Sequence, residues 1–229
     1  TKLNLEKSIS EIKARGIFKS VNYKISDGSE KNLKIIDIEV EEKPTGEISA
    51  GAGVGTDGGM FAFNIRENNW LGQGKSVAFD IEVDSESLNG TISFVDPNYN
   101  FLGNSLNYFV SSETNDKPDQ GYENTIISAG IGTSFEQYKD ITTSLGINAS
   151  YDDLRTDNTA SSSLKKQSGN FSEISGNYGF SLDTRDRAFM PTSGNITSFS
   201  QSLPFYADKA FIANTFTFSS YKSLSEDIV

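Results

Sequence analysis

From residue 47 onward, apolar and polar side chains alternate with a period of two, which is the spacing of strands and not of helices. Val77, Phe79, Ile81 and Val83 alternate with Ser76, Ala78, Asp80 and Glu82, and further on Leu145, Ile147 and Ala149 alternate with Ser144 and Asn148. Ten such segments are predicted as strands, near 47–56, 60–68, 75–84, 88–96, 104–113, 122–134, 140–151, 170–182, 194–203 and 210–222. Many have the ~9 to 11 residues that a tilted, membrane-crossing strand needs. No stretch approaches the roughly 20 apolar residues of a transmembrane helix, so a helical membrane protein is excluded. A β-barrel is not, because one face of each of its strands is polar.

The connections between these segments fall into two kinds. Every other one carries aromatics near a Gly or a polar stop: Asn69-Trp70-Leu71-Gly72, Tyr99 and Phe101 before Gly103, Phe135 and Tyr138, and Phe189 before Pro191. The intervening ones are polar: Asp57-Gly58-Gly59, Asp84-Ser85-Glu86, residues 114–121 and the long run 152–169. Only Phe205-Tyr206 breaks the contrast. Aromatics at one rim and longer polar loops at the other are expected of an up-and-down barrel crossing a membrane, with Tyr122 and Tyr151 as candidates for the opposite girdle.

Residues 1–43 read differently. Leu5, Ile9 and Ile12 mark one face of a helix over about 5–15, with Asn4 as N-cap and Gly16 as C-terminal stop. Val21, Tyr23 and Ile25, the turn Asp27-Gly28, and Ile36, Ile38 and Val40 predict a β-hairpin against it. One helix and two strands make a thin core, as expected of part of a small α+β module. Pro44, Thr45 and Gly46 form a linker or hinge, and the sheet begins at Glu47. Its first strand is weak: Ile48, Ala50, Ala52 and Val54 lie on one face, and Ser49, Gly51, Gly53 and Gly55 on the other.

Composition removes most enzyme designs. The 229 residues include no Cys and no His, which excludes zinc sites built on those ligands and Ser-His-Asp or Cys-His nucleophiles. The net charge of -11 resides in the β region, since residues 1–43 carry 9 basic and 8 acidic side chains. That balance argues against a nucleic-acid surface, which needs a basic footprint. Gly53 to Gly58 matches G-x-G-x-x-G, but a second strand follows in place of the helix that a dinucleotide site requires, so the match reads as a hairpin turn. Asp183-Thr184-Arg185-Asp186-Arg187 reads as a turn that pairs with itself, and Asp152, Asp153 and Asp157 as a solvated loop lacking the spacing of a calcium site. No catalytic residue, metal site or cofactor is expected. With no leader at its start and no closing element at its end, the chain reads as a fragment.

Several segments together resemble a known family. Glu41-Glu42-Lys43-Pro44-Thr45-Gly46 before a Gly-rich strand, Asn69-Trp70-Leu71-Gly72-Gln73-Gly74, Asp96-Pro97-Asn98-Tyr99, and Leu182-Asp183-Thr184-Arg185-Asp186 through Pro191-Thr192-Ser193-Gly194 are similar, in that order, to the BamA-type outer-membrane protein assembly factors. The resemblance implies a mainly β fold: residues 47–229 as about ten of the sixteen strands of a transmembrane antiparallel up-and-down barrel, and residues 1–43 as the C-terminal part of the last periplasmic POTRA module, entered at Arg15-Gly16-Ile17-Phe18. It implies a bacterial outer-membrane location. Its expected partners are unfolded outer-membrane protein clients, accessory lipoproteins and outer-membrane lipid. The expected mechanism is non-enzymatic, with the backbone of Glu47, Ile48, Ser49, Ala50, Gly51, Ala52, Gly53 and Val54 templating a client strand. A rival reading of those glycines is that they only relieve crowding inside the barrel. Two other functions remain: a passive pore or polypeptide-secretion transporter of the same membrane, and a soluble β-rich adhesin or binding domain.

Overall fold

The computed structural model of the chain describes residues 2–30, 33–55, 58–100, 102–187 and 190–223. Helix α1 (Lys2–Ala14) opens it. The helix runs on through Asn4, which is therefore an internal residue and not the N-cap, because Lys2 and Leu3 are themselves good helix formers. Gly16 ends it at φ +70°, a conformation suited to glycine. Strands β1 (Phe18–Asp27) and β2 (Lys34–Glu42) then form an antiparallel hairpin. Its register pairs Val21 with Val40, Tyr23 with Ile38 and Ile25 with Ile36. The connection is longer than an Asp27-Gly28 turn, since the Gly28 N–H reaches across to the Leu33 carbonyl at 2.9 Å. Ile9 of the helix, Ile17 of the connection and Val21 of β1 are buried.

Ten further strands form one antiparallel sheet in strict sequence order: β3 (Gly46–Gly55), β4 (Gly58–Glu67), β5 (Ser76–Asp84), β6 (Ser87–Asp96), β7 (Ser105–Lys117), β8 (Tyr122–Tyr138), β9 (Ile141–Thr156), β10 (Gly169–Asp183), β11 (Ser193–Ala207) and β12 (Ala213–Lys222). Each alternating segment is a strand, and each neighbour in sequence is a neighbour in space. Among the described residues β3 and β12 are the two edges and do not pair with one another. Strands β7 to β11 outrun their expected ends, with β8 reaching 17 residues. Polar segments such as Thr114–Lys117 and Tyr122–Thr125 pair through their backbones, which hydropathy does not register.

Register carries the two faces across the whole sheet, because directly opposed residues of an antiparallel pair point the same way. One row runs Ile48, Ile65, Phe79, Ile92, Val110, Ala129, Ala149 and Ile174. The adjacent row runs Ser49, Asn64, Asp80, Thr91, Ser111, Ser128, Ser150 and Glu173. The first face is an apolar belt open to its surroundings, with Ile92, Val110 and Ile147 each about half exposed. A continuous apolar surface of this extent is matched to lipid and not to water.

Two close approaches fit aromatic rings to glycines. A Cβ on Gly130 would meet the ring of Phe109 at 2.4 Å, and one on Gly176 would meet that of Phe205 at 2.3 Å. Phe205 is the extra residue of a bulge at which Ile174 pairs with Tyr206 and Ser175 with Pro204. Pro204 occupies the place in a sheet where a missing N–H is tolerated. A six-residue helix, α2 (Ser162–Gln167), interrupts the long polar run after β9, with Ser161 capping it through the Leu164 N–H at 3.2 Å. The polar run had no apolar period to announce a helix.

Candidate functional site at the edge of the sheet

Strand β3 bonds to β4 along one edge, and among the described residues its other edge has no partner. Alternate N–H and C=O groups along that edge are available to another strand. Val54 is 92% exposed and Ile48 74%. Ile48, Ala50, Ala52 and Val54 continue the apolar belt, while Glu47, Ser49, Gly51 and Gly53 share the face of Arg66, Asn64, Ala62 and Met60. On that polar face lies an open concavity of about 470 Å³, bounded by Ser49, Gly51, Ala62, Asn64, Asp80 and Glu82.

Beyond Gly46, the glycines of this strand have no described neighbour packed so closely as to explain them. A Cβ added at Gly51 or Gly55 would find no atom within 4 Å, and at Gly53 only the flexible Met60 side chain, at 3.2 Å. Crowding of the kind seen at Gly130 and Gly176 is absent here among the described residues. What the glycines change is the strand itself, which holds its pairing less firmly than a β-branched sequence would.

At its base the strand is tied down. Gly46 opens β3, and the linker residue Thr45 donates its hydroxyl to the Glu67 carboxylate at the end of β4. Glu67 also accepts the Asn69 N–H at 2.6 Å, and the Asn68 side chain donates to the Thr45 carbonyl at 3.5 Å. Pro44, Thr45 and Gly46 are thus adjacent to the first aromatic turn, with its short 3₁₀ turn Trp70–Gly72. Sequence reasoning missed this network, although the polar run Glu67-Asn68-Asn69 marks one half of it.

The alternation of strands places the turns after β4, β6, β8 and β10 at the end of the sheet where the linker enters. Trp70, Tyr99 and Tyr138 are exposed there, whereas Phe101 and Phe189 lie outside the described residues. Helix α1 contributes Ser8, Ile12 and Arg15 to a cleft shared with Pro97, Asn98 and Leu102 of the second of these turns. The N-terminal module and the aromatic rim therefore share one end.

The other motifs resolve as local structure. Gly53–Gly58 spans the β3–β4 hairpin, strand on both sides, with Thr56 and Asp57 outside the described residues. Arg185 pairs with Asp183 at 2.6 Å. Asp186 accepts the Thr192 hydroxyl at 2.7 Å and the Thr192 and Ser193 N–H groups at 2.9 and 3.2 Å. Those bonds hold its carboxyl down to about 2, the Thr192 hydroxyl contributing most. Asp157 is lowered in the same way, first by the Thr159 hydroxyl, and Asp153 pairs with Arg155 at 2.6 Å. Among the described residues no cluster of acidic side chains is arranged to hold a metal.

An antiparallel meander that is apolar on one face and polar on the other, with aromatics at one rim, defines the wall of an outer-membrane-type β-barrel. A model of the Omp85 superfamily domain matches residues 69–229, and the chain belongs to that superfamily. It is 28% identical over 148 residues to the outer membrane protein assembly factor BamA of Neisseria meningitidis serogroup B, and 24% identical over 164 residues to that of Neorickettsia risticii. Those alignments cover 64% and 70% of this chain and 17% and 22% of the relatives, so the chain spans about a fifth of their length. The crystal structure of BamA from Haemophilus ducreyi lacking POTRA domains 1-3 superposes with a TM-score of 0.78 at 20% identity, over 97% of this chain and 46% of that one.

Proposed function

We propose that this chain forms the strand-templating part of an assembly factor that inserts β-barrel proteins into the bacterial outer membrane. The observation that carries the reading is the glycine-rich first strand β3, bonded among the described residues to β4 alone, in which a Cβ at Gly51 or Gly55 would meet no described neighbour. A strand edge recognises the backbone of an incoming strand whatever its side chains. Ile48, Ala50, Ala52 and Val54 keep the lipid side apolar while the edge is open. In this reading residues 1–43 are part of a POTRA module in the periplasm, residues 44–46 join it to the barrel, and residues 47–229 are barrel wall. The partners are unfolded outer-membrane proteins, accessory lipoproteins and outer-membrane lipid, and the step is an exchange of hydrogen bonds that needs no catalytic residue. The lipid-matched belt and the superfamily match both weigh against a soluble adhesin.

Proline tests the edge directly, because it removes one backbone donor and is tolerated on an edge strand when its missing N–H faces outward. Of Ala50→Pro and Gly51→Pro in the full-length protein, one places the lost donor on the free edge and the other on the β4 side. The outward-facing variant should fold and insert yet assemble clients at least about tenfold more slowly in proteoliposomes, a loss on the order of one buried hydrogen bond with its partner left unpaired. Client assembly at wild-type rates by both variants would refute the proposal.

A further inference from the structure

Glu67 stands where the N-terminal module, the linker and the first aromatic turn meet. Its carboxylate accepts the Thr45 hydroxyl and the Asn69 N–H, and a Cβ on Gly46 would lie 3.2 Å from its second oxygen. The Asn69 side chain donates to Glu42 of the module at 3.5 Å and accepts the Gly74 N–H at 2.7 Å. The Lys43 N–H bonds to the Ile17 carbonyl at 3.1 Å, and Arg15 comes so near Gly74 that a Cβ there would be 3.1 Å from its guanidinium. The segment from Glu42 to Gly46 is thus held from both sides. Left unbonded, the linker would keep rotational freedom at Thr45 and Gly46, since only Pro44 fixes its own φ.

We infer that Glu67 is a positioning residue that clamps the base of β3 to the N-terminal module, so that movement of the module is delivered to the first strand and not dissipated in the linker. The inference rests on the templating role proposed for β3 and adds to it a direction. The base of the strand stays bonded to β4, and release begins at the far end, where Gly55 faces Gly58 and Val54 faces Gly59. Charge-assisted hydrogen bonds suit such a clamp, being short and strongly directional.

In the full-length protein Glu67→Ala and Thr45→Val should each slow client assembly about three- to tenfold, the loss of one charge-assisted bond, while Glu67→Gln, still an acceptor, retains most of the rate. Amide exchange should quicken at Gly46 to Ser49 and remain unchanged in β6 to β9, and the heat stability of the barrel should not move. A disulfide between cysteines at Gly46 and Glu67, which face each other across β3 and β4, should restore the rate on oxidation and lose it on reduction. Wild-type rates in both Glu67→Ala and Thr45→Val, or no rescue by the disulfide, would overturn the clamp. If clients are still captured at Ser49 and Gly51 of the otherwise unmodified strand, templating survives that result; if they are not, both proposals fall.

Discussion

Asp186 shows how far single side chains are committed to shape in this molecule. Its carboxylate gathers three donors from Thr192 and Ser193 and closes the turn between β10 and β11. Because its folded value is held at about 2, below the ordinary carboxylate range, it contributes stability that is complete above about pH 4 and is lost as the pH falls through about 2. Titration of this carboxyl by NMR in detergent should therefore give a midpoint near 2, with Asp186→Asn loosening the turn at neutral pH as shown by faster proteolysis. A midpoint near 4 would mean that the three hydrogen bonds do not persist in solution. The self-pairing of Asp183 with Arg185 was legible in the sequence, since the charges lie two residues apart. The bonds to Thr192 were not, because they depend on how the turn folds back.

At the scale of the element, period-two patterning revealed all ten strands because each exposes opposite faces to opposite environments. It understated strands such as β7 and β9, whose ends at 114–117 and 152–156 pair largely through polar residues, and it passed over α2, which is too short to show a period. In β3 the faces of Ile48 to Val54 follow from alternation alone, whereas the contact of Thr45 with Glu67 spans 22 residues of sequence and needs the β3–β4 register to be seen. The structure also separates two roles for glycine. Gly130→Val drives a side chain into the Phe109 ring and should destabilise the barrel by ~1 to 3 kcal/mol, with partial recovery in the double variant with Phe109→Ala. Gly51→Val enters open space, so it should leave heat stability equal or higher and slow client assembly by stiffening the strand. If Gly51→Val instead destabilises the barrel as Gly130→Val does, crowding is the reason for that glycine after all.

For the whole molecule, one topology arranges the parts that the proposed function uses. Strict sequence order puts the N-terminal module, the linker and the aromatic turns at one end, the polar connections after β3, β5, β7 and β9 at the other, and β3 at an edge among the described residues. A sheet edge of this kind is an aggregation hazard in most proteins; in the function proposed above the same backbone groups are the binding site. The lipid-facing belt and the polar opposite face explain why few side chains are buried among the described residues. The most direct measurement is disulfide capture in the full-length protein, with cysteines placed singly at Ser49 and Gly51 and in the terminal strand of a nascent client. The account predicts efficient capture at both positions, in a single register, and little at inner-face controls such as Ser128 and Ser150. Capture at those controls without capture at Ser49 or Gly51 would contradict it.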